Sequence, residues 1–331
     1  MKFHFEFDIK KLPELINYKQ KLFLVGSCFT ENIGEKLKQY KFTVLENPHG
    51  ILFNPISVAE ALTDYIECNQ YGEDNLFQYN EAWHSWKHHS RFSGLNAQDA
   101  ISKINTSITS AHKYLKESEY VMITLGSAWV YTLTEEALNA RKDSVAANNH
   151  KAPASWFHRR LLTVEEVLQG LDNSLHRLFL FNPALKIIFT ISPVRHLREG
   201  VIENNRSKAV LIQAVHHLVD NFDNLYYFPA YELVIDDLRD YRFYAEDLVH
   251  PNYAATQYVW EKFVETCMDE KTKVLMKEIH LINLAHQHKA FNPSSEQHQN
   301  FLKKYFEKTN ELQQQYPYLN FEEELNYFAQ G

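Results

Sequence analysis

The chain has 331 residues, which at about 150 residues per domain means one large domain or two ordinary ones. Hydrophobic residues make up 45% and charged residues 23%, so a wholly disordered chain is excluded. A formal charge of −8 leaves no basic field for a phosphate backbone and argues against nucleic-acid binding.

The first segment, MKFHFEFDIKKLPELI, alternates apolar and polar residues and carries Glu and Asp early. It does not read as a secretory signal. No run of about 18 apolar residues follows, so no membrane span is expected. Cys28, Cys68 and Cys267 are odd in number and far apart, which disfavours a disulfide framework or a closed zinc site. The expectation is a soluble protein kept in the cytoplasm.

Five short runs rich in β-formers then follow: Leu22 to Val25, Phe42 to Leu45, Tyr120 to Leu125, Lys186 to Ile191 and Leu225 to Phe228. Continuous apolar runs of this length suit strands buried on both faces. Between them Phe29, Ile33 and Leu37, and again Leu211, Val215 and Leu218, keep helical spacing. Strands alternating with helices predict a parallel sheet with helices on both sides. Two connections are long. Asn47 to Glu119 holds one helical pattern near Ser57 to Ile66 and an aromatic, histidine-rich stretch from Trp83 to Phe92. Tyr131 to Phe181 includes the polar stretch Ala140 to Ala154. Long connections in a compact α/β unit usually shape a site. Beyond about Lys271 the composition turns to Gln, Glu, His, Lys and Asn. Phe301, Tyr305 and Leu312 still keep helical spacing there. The expected division is a sheet domain over 1–270 and a helical extension over 271–331. The extension's apolar stripe must cover either the domain or a second subunit.

The segment Leu22-Phe23-Leu24-Val25-Gly26-Ser27-Cys28 ends a strand and opens a helix. Ser27 therefore falls at the carboxyl edge of a parallel sheet, where open α/β proteins bind ligands. It is either a helix N-cap or a nucleophile beside a positive helix end. Near the end of the α/β unit, Asp247-Leu248-Val249-His250-Pro251 places an acid three residues before a histidine. Such an Asp can orient the imidazole, and the imidazole can take a proton from a serine. Pro251 restricts His250 to an extended conformation and is well placed to open the next helix.

Over about residues 20 to 265 the chain resembles the GSCFA family. The resemblance rests on LVGSCFTENIGEKL, ENPHGILFNPIS, ITLGSAWVY, TISPVRH, SKAVLIQAV and YFPAYELVIDDLRDYRFYAEDLVHPN. That family is grouped with the SGNH, or GDSL-like, hydrolases. The grouping implies a flavodoxin-like three-layer α/β/α sandwich. It also implies Ser27 as nucleophile, with Asp247 and His250 as the acid–base pair. Backbone N–H groups of Ser27 and Gly50 are implied as oxyanion donors. The pattern's third block, Gly-x-Asn-Asp, reads Gly126-Ser127-Ala128-Trp129 here, so its asparagine is missing. Gly126 keeps the turn, and Asn148 or Asn54 could supply the absent donor.

Other residues carry competing readings. Cys28 is a rival nucleophile or a small core residue. Its side chain is expected in the core, with Ser27 facing the cleft. His84, His88 and His89, set among Trp83, Trp86 and Phe92, are a metal group, a carbohydrate or acyl platform beside Ser27, or loop packing. Arg195, next to His196 after the fourth strand, either holds a substrate anion or makes a surface ion pair. Asp236 to Arg242 reads as an ion-pair cluster that props the Asp247–His250 loop.

Hydrolysis of an ester follows as the expectation, above all deacetylation of a carbohydrate or similar small conjugate, with no metal and no organic cofactor. An acyltransferase using the same triad, and a non-enzymatic binding module on a hydrolase scaffold, stay open.

Overall fold

The computed structural model describes residues 7–329, so the first six residues of the alternating N-terminal segment lie outside it. In chain order the elements are β1 (Lys21–Gly26), α1 (Cys28–Gln39), β2 (Thr43–Glu46), α2 (Pro55–Glu67), β3 (Phe77–Tyr79), β4 (Ala82–His84) and α3 (Ala97–Lys116). Then come β5 (Tyr120–Leu125), β6 (Trp129–Leu133), β7 (Val145–Ala146), β8 (Phe157–Leu161), α4 (Val164–Phe181), β9 (Lys186–Ile191), α5 (Val201–Asn221) and β10 (Leu225–Tyr227). The single turn α6 (Ala230–Glu232) runs into a π-turn, and α7 (Tyr253–Cys267), α8 (Glu270–Gln287), α9 (Glu296–Gln315) and α10 (Glu322–Phe328) complete the described chain.

The five predicted runs form one parallel sheet in the order β10-β9-β5-β1-β2. Numbered among themselves, these strands lie 2-1-3-4-5, the flavodoxin-like order. Their period-2 alternation splits the core in two. Leu22, Leu24, Tyr120, Met122 and Ile188 join the cluster on one face, with α1, α7 and α8. Phe23, Val25, Val121, Ile123, Ile187 and Phe189 join the other, with α2, α4 and α5. Helices on both faces make this a three-layer α/β/α sandwich. Leu302, Leu312, Phe321 and Phe328 of the C-terminal helices belong to the first cluster, so the tail shares a core with the sheet.

The two long connections are more structured than their sequence suggests. The first contains the hairpin β3–β4 and the 20-residue helix α3. The second contains the antiparallel sheet β7-β6-β8.

Candidate active site

Ser27 stands where β1 becomes α1. Gly26 makes that corner with φ 141°, and a Cβ there would meet the Thr124 carbonyl oxygen at 2.1 Å, so only glycine fits. Ser27 occupies the N-cap position of α1, yet its side chain caps nothing. The Oγ is buried without a partner, and the residue has 0% exposure. An N-cap serine ordinarily spends its hydroxyl on the helix. This one keeps it unspent.

Asp247 and His250 form a pair on the loop before α7. The Asp247 Oδ2–His250 Nδ1 distance is 2.6 Å. Asp247 Oδ1 accepts the backbone N–H groups of Val249 at 2.9 Å and His250 at 3.0 Å. The His250 N–H, then its ring, then the Val249 N–H hold the Asp247 carboxyl down to about 2. The His250 side chain is 54% exposed, so Nε2 is left to solvent or substrate. Pro251 bridges back to Tyr244, and Asn252, not Pro251, caps α7 by accepting from the Ala255 N–H.

Arg195 props this loop. Its N–H donates to the Val249 carbonyl at 3.1 Å and Nη1 to the Leu248 carbonyl at 3.3 Å. Its guanidinium lies over the Tyr244 ring, 4.1 Å from the centroid. Arg195 thus has a structural part on this loop, through one guanidinium hydrogen bond and two ring contacts. It takes the propping role expected of the Asp236–Arg242 cluster, in which Arg242 pairs locally with Asp240.

Next to it, His196 reaches back toward the serine. Its Nε2 lies 3.1 Å from the place a Cβ on Gly126 would take, and Ser27 Cβ lies 3.2 Å from that same place. Phe53 packs edge-on to the His196 ring, with centroids 5.3 Å apart. Burial first, then the charges of Lys208 and His250, push His196 down to about 3. Beneath this corner the buried Lys208 Nζ donates to the carbonyls of Gly126 at 2.7 Å and Ser192 at 2.6 Å, tying the ends of β5 and β9 together. Burial pushes Lys208 down to about 7. Sequence reasoning missed Lys208. The available signal was a lysine on the apolar face of α5, one turn before Leu211.

The expected backbone oxyanion donors are spent. The N–H of Ser27 goes to the Thr124 carbonyl at 3.0 Å, that of Gly50 to Asn47 at 2.7 Å, and that of Gly126 to Phe53 at 2.8 Å. Both amide atoms of Asn54 are used on Ser57. Asn148 Oδ1 accepts from the His150 N–H, a bond that does not use its Nδ2 donor. The expected exposures of Ser27 and Cys28 are reversed: Cys28 is half-buried and Ser27 is sealed.

The aromatic stretch is largely packing. Trp86 stacks on Phe77 at 3.7 Å and is buried with Leu133 and Ala146 in a satellite core. Trp83 is half-buried against the Leu76–Ile104 cluster. The histidines bond separately, and His88 Nε2 is buried without a partner. His84 bonds Ser93 and the Tyr79 carbonyl, His88 bonds Ser85, and His89 caps the Arg91 N–H. Among the described residues, no three His, Cys, Asp or Glu side chains converge on a metal position. No helix among them is long and apolar enough to cross a membrane.

Solved structures with a similar backbone include a carbohydrate esterase family 3 protein from Talaromyces cellulolyticus. The match has 9% identity, covers 78% of this chain and 99% of that one, and has a TM-score of 0.38. The acetyl xylan esterase Est2A from the rumen bacterium Butyrivibrio proteoclasticus matches at 10% identity, 76% and 64% coverage, and a TM-score of 0.37. A Clostridium thermocellum family 3 carbohydrate esterase matches at 12% identity, 78% and 98% coverage, and a TM-score of 0.32. At such identities and scores the likeness says nothing of a substrate. No curated protein matches the chain. The GSCFA family profile matches residues 21–263 and that of the GSCFA domain protein C-terminal domain matches residues 279–331, so the chain belongs to the GSCFA family.

Proposed function

We propose that the protein is a serine esterase that removes a short acyl group, acetyl above all, from a carbohydrate or similar small conjugate. The observation that carries this reading is the 2.6 Å Asp247–His250 pair at the same sheet edge as the uncapped Ser27. His250 Nε2 takes the Ser27 Oγ proton as that oxygen attacks the acyl carbonyl. The tetrahedral adduct collapses, the alcohol leaves with the proton from His250, and the acyl group stays on Ser27. Water, activated by the same imidazole, then cleaves the acyl-serine and releases the carboxylate. Asp247 fixes the Nδ1–H tautomer and steadies the imidazolium. The scheme needs no metal or organic cofactor.

One observation favours a second reading. Ser27 has no exposed surface, and Phe53, Gly126 and His196 stand around it. Substrate access requires the Phe53 or the His196 side chain to turn aside. If that never happens, the protein binds a glycan or ester without cleaving it. The test is turnover of p-nitrophenyl acetate together with fluorophosphonate labelling. Turnover and a single label, both lost in Ser27→Ala, support the esterase. Absence of both in folded wild-type protein supports the binding module. Ester exchange in the presence of an acceptor alcohol would identify an acyltransferase.

A further inference from the structure

We propose that His196, through Nε2–H, donates the hydrogen bond that stabilises the oxyanion formed on Ser27; this rests on the esterase reading above. Attack on an ester builds negative charge on the carbonyl oxygen, and a site without a donor aimed at that oxygen loses its largest electrostatic term. The backbone N–H groups of Ser27, Gly50 and Gly126 are all bonded within the fold. Ala128, two residues past Gly126, has no side-chain donor.

Three side-chain nitrogens on the loops that follow β2 and β9 are buried without a partner, Asn47 Nδ2, His49 Nδ1 and His196 Nε2, and His49 Nδ1 is the bare nitrogen of a ring bonded to Asp64 through Nε2. Asn47 is fixed through Oδ1, which accepts the Gly26 N–H at 2.8 Å. His196 Nε2 borders the same small space as Ser27 Cβ, 3.1 and 3.2 Å from the point a Gly126 side chain would claim. That space exists because residue 126 is glycine. Backbone and ring of His196 are each held once. Its backbone N–H donates to Asn204 Oδ1 at 2.9 Å, and its ring abuts Phe53. Burial and the Lys208 and His250 charges keep the ring neutral, so Nε2–H donates without a competing change of charge. His196 and His250 thus divide the work: one ring moves the proton and the other receives the developing charge.

The test compares His196→Leu, similar in volume without a donor, with His196→Gln, which keeps an N–H. Removing one oxyanion donor costs about 10²- to 10³-fold in kcat, so His196→Leu should lose that much while KM stays within about threefold. His196→Gln should recover to within about tenfold of wild type. Should His196→Leu fail to fold, His196→Phe, which keeps a ring against Phe53, takes its place. Near-wild-type kcat in the apolar variant, or equal loss in both variants, overturns the proposal. Ser27→Ala separates the two readings. If it retains activity, the esterase reading falls and takes this one with it. If it is inactive while His196→Leu is not, only the role of His196 falls.

Discussion

Two of the Asp–His pairs among the described residues differ in nearly everything except composition. His49 Nε2 and Asp64 Oδ2 are 3.1 Å apart, with side chains 1% and 5% exposed. His250 Nδ1 and Asp247 Oδ2 are 2.6 Å apart, with side chains 54% and 48% exposed. In the buried pair, Asp64 also accepts from the Tyr71 hydroxyl and Asn69 Nδ2, and the His49 ring stacks on His88 with centroids 4.0 Å apart. Burial opposes the Asp64 charge, but the hydrogen bonds from His49, Asn69 and Tyr71 outweigh it and bring Asp64 to about 2. Burial likewise pushes His49 down against the pull of Asp64. The buried pair therefore rests as carboxylate and neutral imidazole, with Nε2–H already given away. The exposed pair uses Nδ1 and leaves Nε2 open. The same two residue types make a structural strut when sealed and keep a ring nitrogen open to proton exchange when that nitrogen meets solvent.

The comparison breaks most readily by mutating each histidine. His250→Ala should cost at least ~10²-fold in turnover of an acetyl ester, through loss of the general base. Its urea midpoint should stay close to wild type, because the loop is exposed. His49→Leu should do the reverse. Leaving the buried Asp64 carboxylate short of a hydrogen-bond donor costs about 3 kcal/mol, so the urea midpoint should drop while kcat of the folded fraction changes by less than about tenfold. If His250→Ala keeps near-wild-type turnover, the triad reading fails.

Acid sharpens the contrast. His49 and His88 lie below the ordinary histidine range through burial, His150 at about 4 and His196 at about 3. The unfolded chain protonates these rings near pH 6.5 while the folded chain does not. Their depressed values therefore contribute stability that is full above about pH 6.5 and lost as pH falls, by up to about 1.4 kcal/mol per pH unit for each group. Asp64 adds a loss only below its ordinary 3.8, down to about 2. The urea midpoint should fall between pH 7 and pH 4.5, and by less in His49→Leu. A midpoint that stays level or rises on acidification would contradict this account.

Arg195→Ala should have a smaller effect. It removes the guanidinium from the Leu248 carbonyl and the Tyr244 ring and loosens the loop that aims His250. Loss of aim lowers kcat, by about tenfold, with KM little changed. A rise in KM alone would restore Arg195 to the substrate-binding role that its sequence context suggested.

The five-stranded sheet was legible because strands buried on both faces write continuous apolar runs, and all five appear within a residue or two of the predicted ranges. The helix α3 was legible too but was not read, since Ala100, Ile104, Ile108, Ala111 and Leu115 keep its spacing in a polar stretch behind the Asn96 cap. The strands β3, β4 and β7 have two or three residues each, too few for any period to show. At the site, Ser27 and the Asp247-x-x-His250 spacing are local features and stand in the sequence. The fate of a backbone N–H is not local. Thr124, Asn47 and Phe53 supply the carbonyls that engage the expected oxyanion donors. His196 reaches Ser27 only because β9 lies beside β5 and β5 beside β1.

Cys28 gives the smallest expected effect and tests the nucleophile directly. It is more exposed than Ser27, so exposure alone would favour the thiol. The physical chemistry runs the other way. Burial pushes the thiol up, the N–H groups of Cys28 and Phe29 offset this only in part, and the Glu31 carboxylate pushes it up further. Reaction requires the thiolate, and a raised thiol is almost wholly protonated at neutral pH. The helix end that would ordinarily activate a cysteine is thus outweighed. Cys28→Ala should keep kcat within about threefold of wild type, since it removes no group from the proposed relay. It should also leave fluorophosphonate labelling intact. The decisive pair is Cys28→Ala and Ser27→Ala assayed on one acetyl ester, with thermal melts to show that both fold. An inactive Cys28→Ala beside an active Ser27→Ala would move the nucleophile one residue along α1, and the Asp247–His250 pair would then serve a thiol.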